Sequence, residues 1–210
     1  MIDALPFLAS GLLLGLSGGL TPGPVLTLVI THTLQHDVRE GLKIAIAPLL
    51  TDAPIILLTL LVFSRLSDLD ALLGTIALVG AGYLAHLARK TFAAPPIDAP
   101  AGVEAPRSIR TGFVANALNP SPYLFWSLVG TPTLYRALET SVLAGVLFLG
   151  GLFLCLVGSK IVVAALAARG RAYLQGRAFR LTLHLLGVAL GLFALVFLWS
   201  GLSYFGLAGG

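Results

Sequence analysis

Two charged residues sit inside otherwise apolar sequence: Asp52 in Leu50-Thr51-Asp52-Ala53-Pro54, and Lys160 in Leu156-Val157-Gly158-Ser159-Lys160. A charge at the centre of a membrane helix costs ~2.5–3.5 kcal/mol or more, so such residues face a bundle interior and mark ion or proton pathways. Asp52 could carry a proton, or serve as a hydrogen-bonded structural acid. Lys160 is its natural counter-charge, or a lysine that snorkels toward the headgroups. A second feature is a matched pair of proline motifs. Leu20-Thr21-Pro22-Gly23-Pro24-Val25 resembles Leu118-Asn119-Pro120-Ser121-Pro122-Tyr123, 98 residues further on. Proline removes a donor and clashes with a carbonyl one turn back, so each motif should break its helix. In hydrocarbon such a break persists only against protein or a water-lined cavity. Thr21, Pro22, Gly23, Pro24, Asn119, Pro120, Ser121 and Tyr123 are therefore the candidate solute-binding residues.

Other reactive groups carry less. His32 and His36 have the i, i+4 spacing of metal ligands, yet only Asp37 and Glu40 lie near enough in sequence to complete a set. They read as interfacial, solvated histidines. Cys155 stands alone in an apolar run, which excludes an intramolecular disulfide, a Cys-x-x-Cys pair and a cysteine zinc site. No cofactor and no metal site are expected, and nothing resembles a catalytic cluster. Tyr123 and Trp126 follow the second break and either line a pocket or fill the bundle.

The elements that must position these residues are membrane helices. Of 210 residues, 57% are hydrophobic and only 10% charged, too few charges to cover a soluble surface of this size. A span needs about 20 mostly apolar residues, and six such segments fall near 4–34, 42–64, 69–89, 111–135, 140–168 and 180–206. The first and fourth are long and contain the breaks. The N-terminal segment opens with Asp3 and lacks the basic start of a signal peptide, so it reads as a retained span. Pro95, Pro96, Pro100 and Pro106 make 93–109 a linker between residues 1–92 and 110–210.

Charge sets the orientation. Arg39 and Lys43, then Arg89, Lys90, Arg107 and Arg110, then Arg169, Arg171, Arg177 and Arg180 occupy the first, third and fifth connections. Arg65 and Arg136 alone occupy the second and fourth. The positive-inside rule places the three basic connections in the cytoplasm and both termini outside. The formal charge of +4 is scattered along these boundaries, which suits a lipid bilayer as partner and not a nucleic acid. In this frame Asp52 lies 10 residues from the start of its span at Leu42, and Lys160 lies 9 residues before Arg169. At ~1.5 Å per residue their depths differ by about 1.5 Å.

Each proline motif opens a three-helix half. Three is odd, so the halves insert with opposite topology, as in transporters built from inverted repeats with interrupted helices. The expected fold is thus an all-α membrane protein of six helices in two inverted three-helix repeats. Gly11, Gly15 and Gly19, and Gly187 and Gly191, form small-residue stripes that pack the halves together or form a homodimer face.

The chain resembles the lysine-exporter (LysE) family of bacterial amino-acid exporters. The resemblance rests on Gly-Leu-Ser-Gly-Gly-Leu-Thr-Pro-Gly-Pro at 15–24, Arg39 and Gly41, Asp52, Gly-Ala-Gly-Tyr-Leu at 80–84 before Arg89, Gly112-Phe113-Val114, and Asn119-Pro120. It implies a six-helix, proton-coupled inner-membrane exporter of amino acids or related small metabolites, often dimeric. Two departures lie in the presumed site. Many members have asparagine where this chain has Val25, and an acidic residue and an aromatic on span 5 where this chain has Leu156 to Lys160. An intramembrane lysine favours a substrate carboxylate or anion over a basic amino acid. A metal-cation exporter is the alternative within transport, disfavoured by sparse ligands. An integral-membrane enzyme is the alternative class, and it lacks an acid, base or nucleophile cluster.

Overall fold

The computed structural model describes residues 2–62, 69–94, 107–171, 173, 174 and 176–207. Most of the expected linker, and the second connection with Arg65, lie outside these residues. Among the described residues every regular element is helical. A single 3-10 turn at Ile2–Ala4 leads into α1 (Leu5–Leu20), α2 (Pro24–Gln35), α3 (Val38–Ala45), α4 (Ala47–Val62) and α5 (Leu69–Phe92). After the linker come α6 (Ser108–Ala117), α7 (Pro120–Phe125), a π-helical turn at Trp126–Gly130, α8 (Thr131–Thr140), α9 (Val142–Arg171) and α10 (Gly176–Tyr204).

The runs Val38–Thr59, Asp70–Phe92, Val142–Arg171 and Gly176–Tyr204 are each long and apolar enough to cross a membrane. α1 and α2 together are also long and apolar enough, as a pair bent by 61°, and make a fifth candidate if the pair is one broken span. The remaining segment, expected as one broken span over 111–135, is four helical pieces running from Ser108 to Thr140. Its extra interruptions have local causes. Pro120 and Pro122 start α7, and Pro132 starts α8, so the backbone ahead of each lacks its normal donor. Gly130 lies against the Trp126 ring, where a Cβ would collide.

The second span also differs from expectation. Pro54 lies inside α4, which runs through it without a break. The break falls at Ile46, between α3 and α4. Pro48 explains it: it cannot donate back along the chain, and it sits at the start of α4, where proline is tolerated. Leu49 N–H closes a tight turn onto the Ile46 carbonyl at 3.0 Å.

The surface is that of a lipid-facing bundle. Leu13, Leu154 and Val142 are 69%, 70% and 74% exposed, and many more leucines and valines point outward. So much exposed apolar surface is untenable in water and ordinary against acyl chains. The interior instead collects polar residues: Thr51, Asp52, Asn116, Asn119, Ser127, Thr131, Ser159 and Lys160 are all buried.

Packing in lipid depends on close approach, because apolar burial no longer drives association. α1 lies along α9, and the glycine stripe makes this contact. A Cβ on Gly11 would strike the Phe148 carbonyl, one on Gly15 the Leu152 carbonyl, and one on Gly19 the Ser159 hydroxyl. These glycines are spent inside the chain, so the α1 stripe is not a dimer face. Gly187 packs on the Phe92 ring, whereas Gly191 has open space around it. The other extensive contact joins α5 to α10.

Candidate functional site

The first break forms where α1 stops at Leu20. Thr21 closes that end with its backbone N–H and its hydroxyl, both donating to the Ser17 carbonyl at 2.9 and 2.7 Å. Gly23 is extended, and α2 starts at Pro24 with no side chain capping its amides. The second break follows the same plan with one change. Asn119 is extended, and its side chain accepts from Ser121 N–H at 3.0 Å, capping α7.

Both breaks open onto one cavity of about 330 Å3. Thr21, Pro22, Gly23 and Pro24 line it from one half; Asn119, Ser121 and Pro122 line it from the other. Asp52 and Lys160 line the same cavity. Two of the expected residues lie elsewhere. Pro120 is buried at the start of α7 and does not reach the lining. Tyr123 is also outside it: its hydroxyl donates to the Ala117 carbonyl at 2.9 Å, bridging the break. Trp126 fills the bundle core, outside the lining, and is fully buried.

Asp52, 5% exposed, sits in a hydrogen-bonded cluster. Asn116 Nδ2 donates to Asp52 Oδ1 at 3.1 Å and to Thr51 Oγ1 at 2.5 Å. The single Thr51 hydroxyl proton has two acceptors within reach, the Ala47 carbonyl at 3.1 Å and Asp52 Oδ1 at 3.3 Å. The Trp126 indole lies beside this carboxyl, yet its buried N–H has no hydrogen-bond partner. Asn116 is a cavity residue that the sequence reading missed. Its signal was a lone amide in apolar sequence one helical turn before Asn119.

Lys160 is 4% exposed. Its Nζ donates to the Leu156 carbonyl at 3.3 Å, back toward the N-terminal end of α9. Arg169 and Arg171 mark the opposite end, so the ammonium does not snorkel out with them. It does not form an ion pair with Asp52 either; Lys43–Glu40, at 2.5 Å, is the one ion pair among the described residues. Asp52 and Lys160 are two charges on one small apolar-walled cavity, each held by neutral partners.

The histidines belong to a separate polar layer at the far end of α2. His32 Nδ1 shares a hydrogen bond with Ser108 Oγ at 2.8 Å, tying α2 to α6. The Arg171 guanidinium donates to the His36 carbonyl, tying α9 to the α2–α3 turn. Among the described residues no three His, Cys, Asp or Glu side chains converge as metal ligands would. The His32 ring and the His36 carbonyl link α2 to its neighbours, and neither residue lines the cavity.

Comparison with curated proteins and with solved structures gives no match. The sequence model of the LysE type translocators matches residues 16–201, a range that takes in both helix breaks, Asp52, Asn116 and Lys160. The chain is a membrane translocator belonging to the LysE type family.

Proposed function

We propose that this translocator is a secondary exporter of amino acids or closely related small metabolites, and that proton antiport through Asp52 drives it. The observation that carries the reading is that one cavity is lined by both helix breaks and by Asp52. An exporter must bind its solute midway, where either face can be opened, and interrupted helices supply unbonded backbone groups there. Asp52 gives the same cavity one group that can hold either a proton or a solute ammonium. Because the two compete, loading one releases the other, which is the logic of exchange.

The packing pattern supports an inverted six-helix repeat. The α6–α8 run serves as the remaining crossing. α1 packs on α9, α6 packs on α3 and α4, and α5 packs on α10. A two-fold axis exchanging the halves maps the first pair onto the second and leaves the third on the axis. The charge pattern supports an inner-membrane protein with both termini outside the cytoplasm.

Purified full-length protein in proteoliposomes tests the reading by counterflow against a panel of amino acids and metal cations. At least one amino acid should exchange, and a proton gradient should drive its uphill movement. Exchange confined to cations, or amino-acid exchange indifferent to the gradient, would overturn it.

A further inference from the structure

We infer that Lys160 and the open amide end of α2 form a carboxylate subsite, which selects small zwitterions with an uncharged side chain. The inference rests on the exporter reading and adds which end of the solute goes where. An ammonium has three donors; Lys160 spends one on the Leu156 carbonyl, at a long 3.3 Å. The residue is buried and lines the cavity, and a buried charge requires a partner. Asp52 does not contact it, so an anion brought by the solute is the partner that the cavity has room for.

The start of α2 supplies further donors. Its first backbone bond is from Thr27 N–H to the Gly23 carbonyl at 3.0 Å. The Val25 and Leu26 amides precede it with no backbone acceptor, no side chain caps that end, and both residues line the cavity. Free amides at a helix start, with the helix dipole behind them, favour a carboxylate. The second break offers no equivalent, because Asn119 already caps Ser121 N–H. The groups on the cavity wall are thus of two kinds: cationic or donating at Lys160 and the α2 start, anionic at Asp52.

The rest of the lining is apolar, including Leu14, Phe125, Leu152, Phe193 and Phe197. It suits an aliphatic or aromatic side chain. A lysine or glutamate solute would bring a third charge with no partner into a low-dielectric space, which disfavours its binding.

The test uses full-length protein in proteoliposomes and the amino acids alanine, valine, leucine, methionine and phenylalanine, each paired with its carboxamide. Wild-type protein should exchange at least one of the five, and should prefer it to its amide by about tenfold or more. Lysine and glutamate should compete poorly. Lys160→Met should lose the preference for carboxylate over carboxamide, and Lys160→Arg should keep it. If no amino acid exchanges, the exporter reading fails and this inference with it. If wild-type protein exchanges leucine and leucinamide equally, or a well-folded Lys160→Met retains the preference, the carboxylate subsite alone is overturned. Should Lys160→Met not fold, the wild-type and Lys160→Arg comparisons still decide.

Discussion

Asn116 on α6 donates its side-chain amide to Asp52 Oδ1 on α4 at 3.1 Å, a direct bond between the two halves of the chain. The same amide reaches Thr51 at 2.5 Å, so one residue holds the carboxyl against both its own helix and the facing half. Replacement by leucine removes both bonds and leaves their partners buried. Asn116→Leu should lower stability by about 1–3 kcal/mol, read as a reduced melting temperature in detergent. It should also lower the exchange rate. Unchanged stability together with unchanged exchange would show that the bond neither holds the halves nor sets the carboxyl.

Asp52→Asn keeps the shape and mimics a permanently protonated acid. Under proton antiport it should abolish gradient-driven export and leave part of the solute exchange. The absence of a contact with Lys160 adds a second expectation. Combining Asp52→Asn with Lys160→Met should reveal a coupling well below the ~3–5 kcal/mol that breaking a contacting buried pair costs. A stable Asp52→Asn protein with normal gradient-driven export would remove Asp52 from the coupling step.

The α1–α9 contact makes a sharp distinction among glycines. A Cβ on Gly15 would meet the backbone of Leu152, which cannot move aside, whereas one on Gly158 would meet nothing within 4 Å. Gly15→Ala should destabilise by about 1–3 kcal/mol through overpacking. Gly158→Ala should be neutral or stabilising, because alanine favours helix over glycine. Thermal unfolding of the two variants in the same detergent checks the contrast, and equal melting temperatures would contradict this packing.

Orientation can be read from the two ends of α9. Val142 and Tyr173 are 74% and 88% exposed and lie beyond opposite ends of the helix core. In a Cys155→Ser background, Val142→Cys should label with an impermeant thiol reagent from the periplasmic side. Tyr173→Cys should label only after the membrane is permeabilised. The reverse pattern would invert the topology derived from the basic connections.

Much of the cavity lining was legible because its signals are local. The closely spaced proline pairs at 22 and 24 and at 120 and 122 mark helix breaks, where a single proline such as Pro54 does not, and an isolated Asp52 or Lys160 in apolar sequence announces an interior position. The fragmentation of 108–140 was less legible. Pro132 was visible, but the π-helical turn depends on how the Trp126 ring packs over Gly130, a contact that no spacing rule encodes. Tyr123 was misplaced for a similar reason. Its hydroxyl is captured by the Ala117 carbonyl, which the break itself leaves free. Lys160 matched Asp52 in depth by simple counting, but counting along two helices says nothing of rotation, and rotation determines whether two charges touch or face a shared space.

The polar layer at the end of α2 predicts a pH effect. His36 lies just beyond that helix, where burial is the largest influence and lowers its pKa below the usual histidine value of 6.5. Arg171 pushes the same way, while Glu40 and Asp37 oppose. A histidine depressed in the folded state stays neutral there while the unfolded chain takes up the proton. Its stabilising contribution is therefore present above about pH 6.5 and is lost as pH falls through the lower folded value. Melting temperature should decline on acidification below pH 6.5, and His36→Gln, which cannot titrate, should show a shallower decline. The Arg171 bond to the His36 carbonyl uses the backbone and survives this substitution, so the comparison isolates the imidazole. Identical pH profiles for the two proteins would place the acid sensitivity elsewhere.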